Sequence, residues 1–380
     1  MARPSKKEES EMAGSQNFLN SLLNGYADDH YNRIETVPVA ITSGSLILDS
    51  HIKVKSGSSI RICSETPESG KTSQSFLFAA NFMQTMKKSK TIYIKAESRL
   101  SPELMKRMDL TFVFNAEEWK DGTVFVFECN FFETIADTLK GLLKVCFENG
   151  EHLCIIIDSL DGLMLKRDSE KTFSSSERPV VAGVAYLTKL LFRHIGLAIN
   201  KYNALLILVS QYSSTIKLDP YAKGERKMVE SSGGNSISFQ ADYILNYLPR
   251  YNGDMILEKE KERPDPTSNR ILGVFANIEL KKSATDNSGY RLSVPIKKGR
   301  IGNAVWIEKE VADLILAWDL AKRAGAWISF SENVIKEAKE NKLELKEKVQ
   351  GLNGLYEYLE NNKDISNWFL HKFKSMLSQP

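Results

Sequence analysis

The sequence predicts an α/β fold: a mostly parallel, twisted sheet with helices on both faces, a short N-terminal helical element and a small C-terminal α+β domain. Three observations predict it. Short β-rich runs alternate with longer helical stretches through the middle of the chain. Several of those runs are apolar throughout, the pattern of strands buried on both faces. A phosphate-loop-like segment stands between a strand and a helix. The strand candidates are Ser59–Cys63, Thr91–Ala96, Thr123–Cys129, Leu153–Asp158, Ala204–Ser210 and Asp242–Leu248. The helix candidates between them are Lys71–Met86, Phe132–Phe147 and Val180–Asn200. Alternation on this scale argues for an open sheet covered by helices. Ile271–Lys281 and Tyr290–Lys297 read as an added β-hairpin that turns at Asp286-Asn287-Ser288-Gly289.

Composition sets the bounds. The chain has 380 residues, 42% hydrophobic and 26% charged, which is long enough for one large core and ordinary for a globular protein. Collagen, a coiled-coil rod and wholesale disorder are excluded. A net charge of +3 is too small to attract nucleic acid by itself, so any such contact must come from local patches. Cys63, Cys129, Cys146 and Cys154 form no CxxC pair and read as core residues in a reducing compartment. The five histidines are dispersed, which argues against zinc. No run has the length of a membrane span and the start lacks a signal-peptide pattern, so a soluble intracellular protein is expected.

The flanks differ from the middle. Ser15–Tyr31 carries a short amphipathic pattern (Phe18, Leu19, Leu22, Leu23) that fits either a packed helix or a docking element for another subunit. From Trp306 the chain turns helical and charge-rich and ends in a basic amphipathic tail containing Trp368, Phe369, Phe373 and Met376. Glu258–Arg263 is a charge run, read as a solvated loop.

The strongest local signal is Glu65-Thr66-Pro67-Glu68-Ser69-Gly70-Lys71-Thr72, with Ser73 next, after a strand and at the start of a helix. Such a loop aims backbone N–H groups at phosphate, aided by the helix N-terminus. Lys71 would reach the β- and γ-phosphates and Thr72 would bind Mg²⁺. Glu65 stands where the pattern wants its first glycine, so the motif alone is incomplete. Three strand ends support it. Leu153–Asp158 is an apolar strand ending in an acid, placing Asp158 where ligands bind in open α/β sheets. The run Ile92–Glu97 ends in a carboxylate suited to orienting the attacking water, and Gln211 follows a third strand as a γ-phosphate sensor. Taken singly, Asp158 is equally a helix cap and Glu97 a surface acid.

Over about Val37 to Phe373 these residues resemble the RecA family of homologous recombinases, bacterial members and UvsX-like phage members alike. Pro67–Thr72 is similar to that family's P-loop, Ile92–Pro102 (IYIKAESRLSP) to its catalytic-glutamate strand, and Asp158-Ser159-Leu160 to its Walker-B segment. Ser210-Gln211, followed after a polar loop by Gly233-Gly234-Asn235-Ser236-Ile237-Ser238-Phe239, resembles the second DNA-binding loop and its exit. Ala324–Phe330 (AGAWISF) resembles a distinctive C-terminal-domain stretch and is the most specific of these matches. Glu65, Lys95 and Leu104 depart from the family pattern, which points to a divergent, viral member.

The resemblance implies a DNA-dependent ATPase that forms a helical homopolymer on single-stranded DNA and exchanges strands with homologous duplex DNA. ATP and Mg²⁺ would sit between subunits, on Thr66 to Ser73 and Asp158 of one and Lys281 and Lys282 of its neighbour. Glu97 would activate water, Gln211 would couple ATP to the loop, and Phe239 would lie near a subunit contact. The DNA-contact candidates are Arg178, Arg193, Lys217, Arg226, Lys227, Gly233, Gly234 and Asn235. The two loops, at about 166–179 and 212–232, are long and polar, and Asp219, Glu225 and Glu230 nearly cancel the second loop's cations. The expected division is 1–36 as tail and polymerisation helix, 37–298 as ATPase core and 299–380 as C-terminal domain. Single-strand-binding and loader proteins are candidate partners, no membrane is involved, and the expected location is the cytoplasm, that of the host for a viral member. Two alternatives stay open: a ring helicase or motor on the same fold, and a non-hydrolysing DNA-binding accessory filament protein.

Overall fold

The computed structural model of the protein describes residues 6–26, 31–32, 34–97, 100–169, 183–214, 228–229, 240–259 and 262–377. The chain opens with helix α1 (Lys6–Gly25) and a short helix α2 (Leu46–His51). Then follow β1 (Ser59–Ser64), α3 (Lys71–Thr85), β2 (Ser89–Lys95), α4 (Pro102–Met108), β3 (Thr111–Val113), β4 (Thr123–Phe127), α5 (Phe132–Glu148) and β5 (His152–Asp158). Next come α6 (Lys166–Ser169), α7 (Gly183–Lys201), β6 (Leu205–Gln211), β7 (Ser213–Ser214), β8 (Met228–Val229), β9 (Tyr243–Tyr247), β10 (Met255–Leu257), β11 (Ile271–Lys282) and β12 (Arg291–Lys297).

Ten of these strands form one sheet in the order β10-β11-β9-β1-β6-β5-β2-β4-β3, with β12 paired to β11. From β9 to β3 every neighbouring pair is parallel; β10, β11 and β12 add an antiparallel edge. The apolar runs have a simple cause. On β5, Cys154 and Ile156 face one core layer and Leu153, Ile155 and Ile157 face the other. On β6, Leu205 and Ile207 take the first side and Leu206 and Leu208 the second. Helix α3 covers the first layer through Phe76, Phe78 and Phe82. Helix α5 covers the second with Phe132, Ile135, Leu139, Leu143 and Cys146, an i, i+3, i+7 stripe.

Past β12 the chain forms α8 (Ile307–Ala317), β13 (Ala321–Ala324), β14 (Trp327–Phe330), α9 (Glu332–Glu340), β15 (Lys348–Gln350), α10 (Gly351–Asn361) and α11 (Lys363–Leu377). Strands β13, β14 and β15 make a separate antiparallel sheet within the expected α+β C-terminal region. The segment AGAWISF is therefore a tight hairpin, turned by Gly325 at φ 61°. A third apolar cluster, including Trp306, Ile315, Leu355, Phe369 and Phe373, also takes in Leu46 from α2. Among the described residues no helix is long and apolar enough to cross a membrane. The N-terminal helix begins at Lys6, earlier than the expected Ser15, and leaves Phe18 and Leu19 exposed.

One buried acid helps fasten the C-terminal elements to the core. Glu310 on α8 is fully buried and accepts from the Ser45 hydroxyl at 2.5 Å and the Leu46 N–H at 2.6 Å. Burial pushes its carboxyl up to about 8. Burial also raises Asp49, which accepts from Ser43 N–H at 2.7 Å on the same junction. Around it lie the ion pairs Lys297–Glu360 and Arg300–Glu308. The folded chain therefore keeps a proton on Glu310 that the unfolded chain, with an ordinary carboxylate, releases at lower pH. Stability should fall as pH rises from the ordinary carboxylate range through about 8, then level off. Urea-unfolding midpoints measured from about pH 5 to about pH 9 should show this slope in the parent and a flatter one in Glu310→Gln.

Candidate nucleotide site

Strand β1 ends at Ser64, whose register partners are Gln211 on β6 and Tyr247 on β9. Whatever follows β1 thus emerges between those two strand ends. Ser64 starts the turn by accepting from Thr66 N–H through its hydroxyl at 3.1 Å. Glu68 at φ 55° and Gly70 at φ 102° then curl the loop onto the N-terminus of α3, where Gly70 is the cap. At φ 102° an L side chain is strained, which explains the glycine. The Lys71 ammonium turns back over the loop, to Thr66 O at 3.3 Å and Ser69 Oγ at 3.4 Å.

From Thr72 a continuous run of contacts crosses the strand ends. The Thr72 hydroxyl donates to Asp158 Oδ2 at 2.7 Å, and the Tyr93 hydroxyl donates to the same oxygen at 3.0 Å. Ala96 N–H donates to the Asp158 carbonyl at 3.0 Å, which pulls the chain after β2 across the end of β5. The Ser159 hydroxyl donates to Glu97 Oε1 and lies 3.5 Å from Asp161 Oδ2. Asp161 in turn accepts from Gln211 N–H at 2.8 Å. Lys71, Thr72, Glu97, Asp158 and Gln211 thus meet at one edge of the sheet. Burial raises the Asp158 carboxyl, with the bonds from Thr72 and Tyr93 opposing and the Glu97 charge adding. Burial and then the Asp158 charge push the Tyr93 phenol far up, so it stays a donor. A threonine hydroxyl and a carboxylate so close are hard oxygen donors of the kind Mg²⁺ takes alongside phosphate oxygens.

Sequence reasoning missed Tyr93, Ser159, Asp161 and Arg250. Arg250, three residues past β9, donates from Nη2 to Ser69 O at 3.3 Å. Lys95 is drawn aside by Glu128 at 2.6 Å, and Leu104 packs against the first core layer. Gln211 is followed by Tyr212, whose buried ring has Arg61 at 5.8 Å and Lys281 at 4.5 Å from its centroid. Lys282 is in register with Ile244 near the start of β9, at the other end of that strand from Tyr247 and the loop that follows β1. Arg193 is exposed on α7. The second loop's base is a short antiparallel pairing of β7 with β8. Arg178, Lys217, Arg226, Lys227, Gly233, Gly234, Asn235 and Phe239 lie outside the described residues.

Gly162 sits where a Cβ would meet Ala96 O at 2.7 Å and Glu97 Cγ at 3.0 Å. Gly162→Ala should therefore cost about 1–3 kcal/mol in chemical denaturation. Gly141→Ala, on the exposed face of α5 with nothing within 4 Å, should instead stabilise by about 0.5–1 kcal/mol.

No family model matches the chain. It is similar to Protein RecA of Rickettsia massiliae, 26% identical over 339 residues that make up 86% of each chain. It is likewise 26% identical to Protein RecA of Rickettsia prowazekii over 337 residues, 86% of this chain and 82% of the relative. With Protein RecA of Rickettsia bellii it shares 25% identity over 237 residues, 61% of this chain. There it spans little more than half of the relative's length, 55%. With a mostly parallel sheet and a separate C-terminal sheet, these likenesses support a distant RecA-like relationship.

Proposed function

We propose that the chain is a DNA-dependent ATPase of the RecA kind, which assembles as a helical filament on single-stranded DNA and pairs it with a homologous duplex. The observation that carries this reading is the run of contacts from Thr72 through Asp158, Glu97, Ser159 and Asp161 to Gln211. It joins a phosphate loop, an acid pair and the root of a long polar loop, which is what coupling hydrolysis to DNA contact requires. The distant likeness to RecA proteins supports the same reading.

In this mechanism the loop amides and the α3 N-terminus, Thr66 to Ser73, bind the nucleotide's phosphates. Lys71 leaves its loop contacts for phosphate oxygens. Thr72 Oγ1 and the Asp158 carboxylate would hold Mg²⁺, which when bound neutralises phosphate charge. Glu97, oriented by Ser159, positions the attacking water and accepts its proton. Gln211, tethered by Asp161, passes the state of the site to the loop at 212–232. Lys281 and Lys282 complete a neighbouring subunit's site, an arrangement in which a trans cation stabilises transferring phosphate. Arg178, Arg193, Lys217, Arg226, Lys227 and the Gly233-Gly234-Asn235 exit line the DNA path, with Phe239 at the subunit contact. Binding through the DNA backbone would be sequence-tolerant and weaken with salt.

In the same reading residues 1–36 dock a neighbour, 37–298 hydrolyse ATP and 299–380 form a separate unit. The protein would act in the cytoplasm, with single-strand-binding and loader proteins as further partners, and a phage origin fits its departures from the bacterial pattern. An ATPase assay with and without single-stranded DNA tests the core of this. Hydrolysis should be stimulated by DNA, abolished in Lys71→Ala, and slowed about 10²–10⁴-fold in Glu97→Gln with nucleotide binding retained. Normal DNA-dependent hydrolysis and strand exchange by Lys71→Ala would overturn it.

A further inference from the structure

The P-loop is held from the β9 side by a cation that no motif predicts. Tyr247 ends β9 in register with Ser64, the last residue of β1, so the chain leaving β9 runs beside the loop leaving β1. Tyr247 is buried and anchored by its hydroxyl, which donates to Gln74 Oε1 at 3.2 Å; Gln74 donates to Ser43 O at 2.9 Å. Three residues on, Arg250 places Nη2 at 3.3 Å from Ser69 O. A Cβ built on Gly70 would lie 3.9 Å from both that nitrogen and the Tyr247 ring. Ser69 is buried, while the Arg250 side chain is exposed and forms no ion pair among the described residues. Among the described residues this guanidinium, with five donors, meets one carbonyl.

The geometry of that carbonyl gives the contact a purpose. In a trans peptide C=O and N–H point to opposite sides. Fixing Ser69 O on Arg250 therefore turns the Gly70 N–H away from Arg250. The loop itself carries Glu65 and Glu68, both exposed, whose charges repel an incoming polyphosphate. A second cation beside Lys71 offsets that repulsion.

We propose that Arg250 is a positioning residue for nucleotide binding: it presets the Ser69–Gly70 peptide for phosphate and adds positive charge in cis. This rests on the ATPase reading above. Arg250 touches neither the acids nor Gln211, so its loss should weaken binding equally in the ground and transition states.

The test is MgATP binding and steady-state hydrolysis on single-stranded DNA for the full chain, Arg250→Ala and Arg250→Lys. A lost hydrogen bond from a charged donor predicts Kd and KM raised about 10- to 100-fold in Arg250→Ala. Its kcat should stay within about two-fold, and Arg250→Lys should recover most of the affinity. Unchanged KM in Arg250→Ala, or a fall in kcat at constant KM, overturns the proposal and leaves the ATPase reading standing. Equal losses in both variants with lowered thermal midpoints mark a folding defect and also overturn it. A parent chain that binds no MgATP overturns the ATPase reading itself, and this inference with it.

Discussion

A parallel sheet buried on both faces brings the carboxyl ends of its strands to one edge, and the chemistry proposed for this protein depends on that constraint. The register β9-β1-β6-β5-β2 places Tyr247, Ser64 and Gln211 in one row, with Asp158 and Lys95 paired about two residues short of it at the same strand ends. Residues immediately beyond those ends are then neighbours whatever their separation in sequence. Ladder hydrogen bonds and packing on both faces fix that register, because a one-residue slip would exchange the side chains fitted against the two helix layers. Site geometry and core packing are thus a single problem. Ile155 and Ile157 face α5 and α7, Ile156 faces α3, and Asp158 is the next residue along.

Electrostatics gives the edge its direction. Asp158, with Glu97 beyond Ser159, would be costly in a dry site without partners. Thr72, Tyr93 and Ser159 supply hydrogen bonds to these carboxylates, and burial still lifts Asp158 above its ordinary value. Lys71 and Arg250 meanwhile rest on carbonyls of the loop itself. Cations on the outer side and acids on the inner side suit a polyphosphate with a water behind its terminal group. The same economy appears at Tyr212, where a buried ring takes Arg61 on β1 and Lys281 on β11 beside Gln211. The root of the second loop is therefore braced from two strands.

Much of this was legible in the sequence. Short β-rich runs, several of them apolar throughout, marked six strands to within about two residues, because a strand buried on both faces stands out against the longer helical stretches. The loop motif and the acids at or after the ends of two strands pointed to residues that the structure brings to one edge of the sheet, and the Asp286–Gly289 turn located the hairpin. What escaped has physical causes. Strands β13, β14 and β15 are three or four residues long, and Lys322, Arg323 and Lys348 hide their pattern. Helix α1 starts in a charged stretch with no apolar face, so only its second half showed periodicity. Helix α4 did carry a signal, Ser101 as N-cap with Pro102 first in the helix, that a stricter reading of caps finds. Asp161 and Arg250 had none, and Ser159 showed only as the neighbour of Asp158 in the Walker-B match. Their importance comes from a turn and a register that bring them to Glu97, Gln211 and Ser69, and neither is visible in composition or period. Glu310 is similar: an acid in an amphipathic helix reads as solvated until its burial against Ser45 is seen.

The central claim is that one bound triphosphate is shared by Lys71, Glu97, Asp158 and Gln211 and that its presence organises the chain along DNA. An electron-microscopy reconstruction of the full chain with single-stranded DNA and a non-hydrolysable ATP analogue tests it most directly. The account predicts an open helical filament with one nucleotide per subunit. Its phosphates should lie on residues 66–73, with Asp158 and Glu97 beyond them and Lys281 or Lys282 of the adjacent subunit opposite. Closed rings, or nucleotide density away from Lys71, would contradict it.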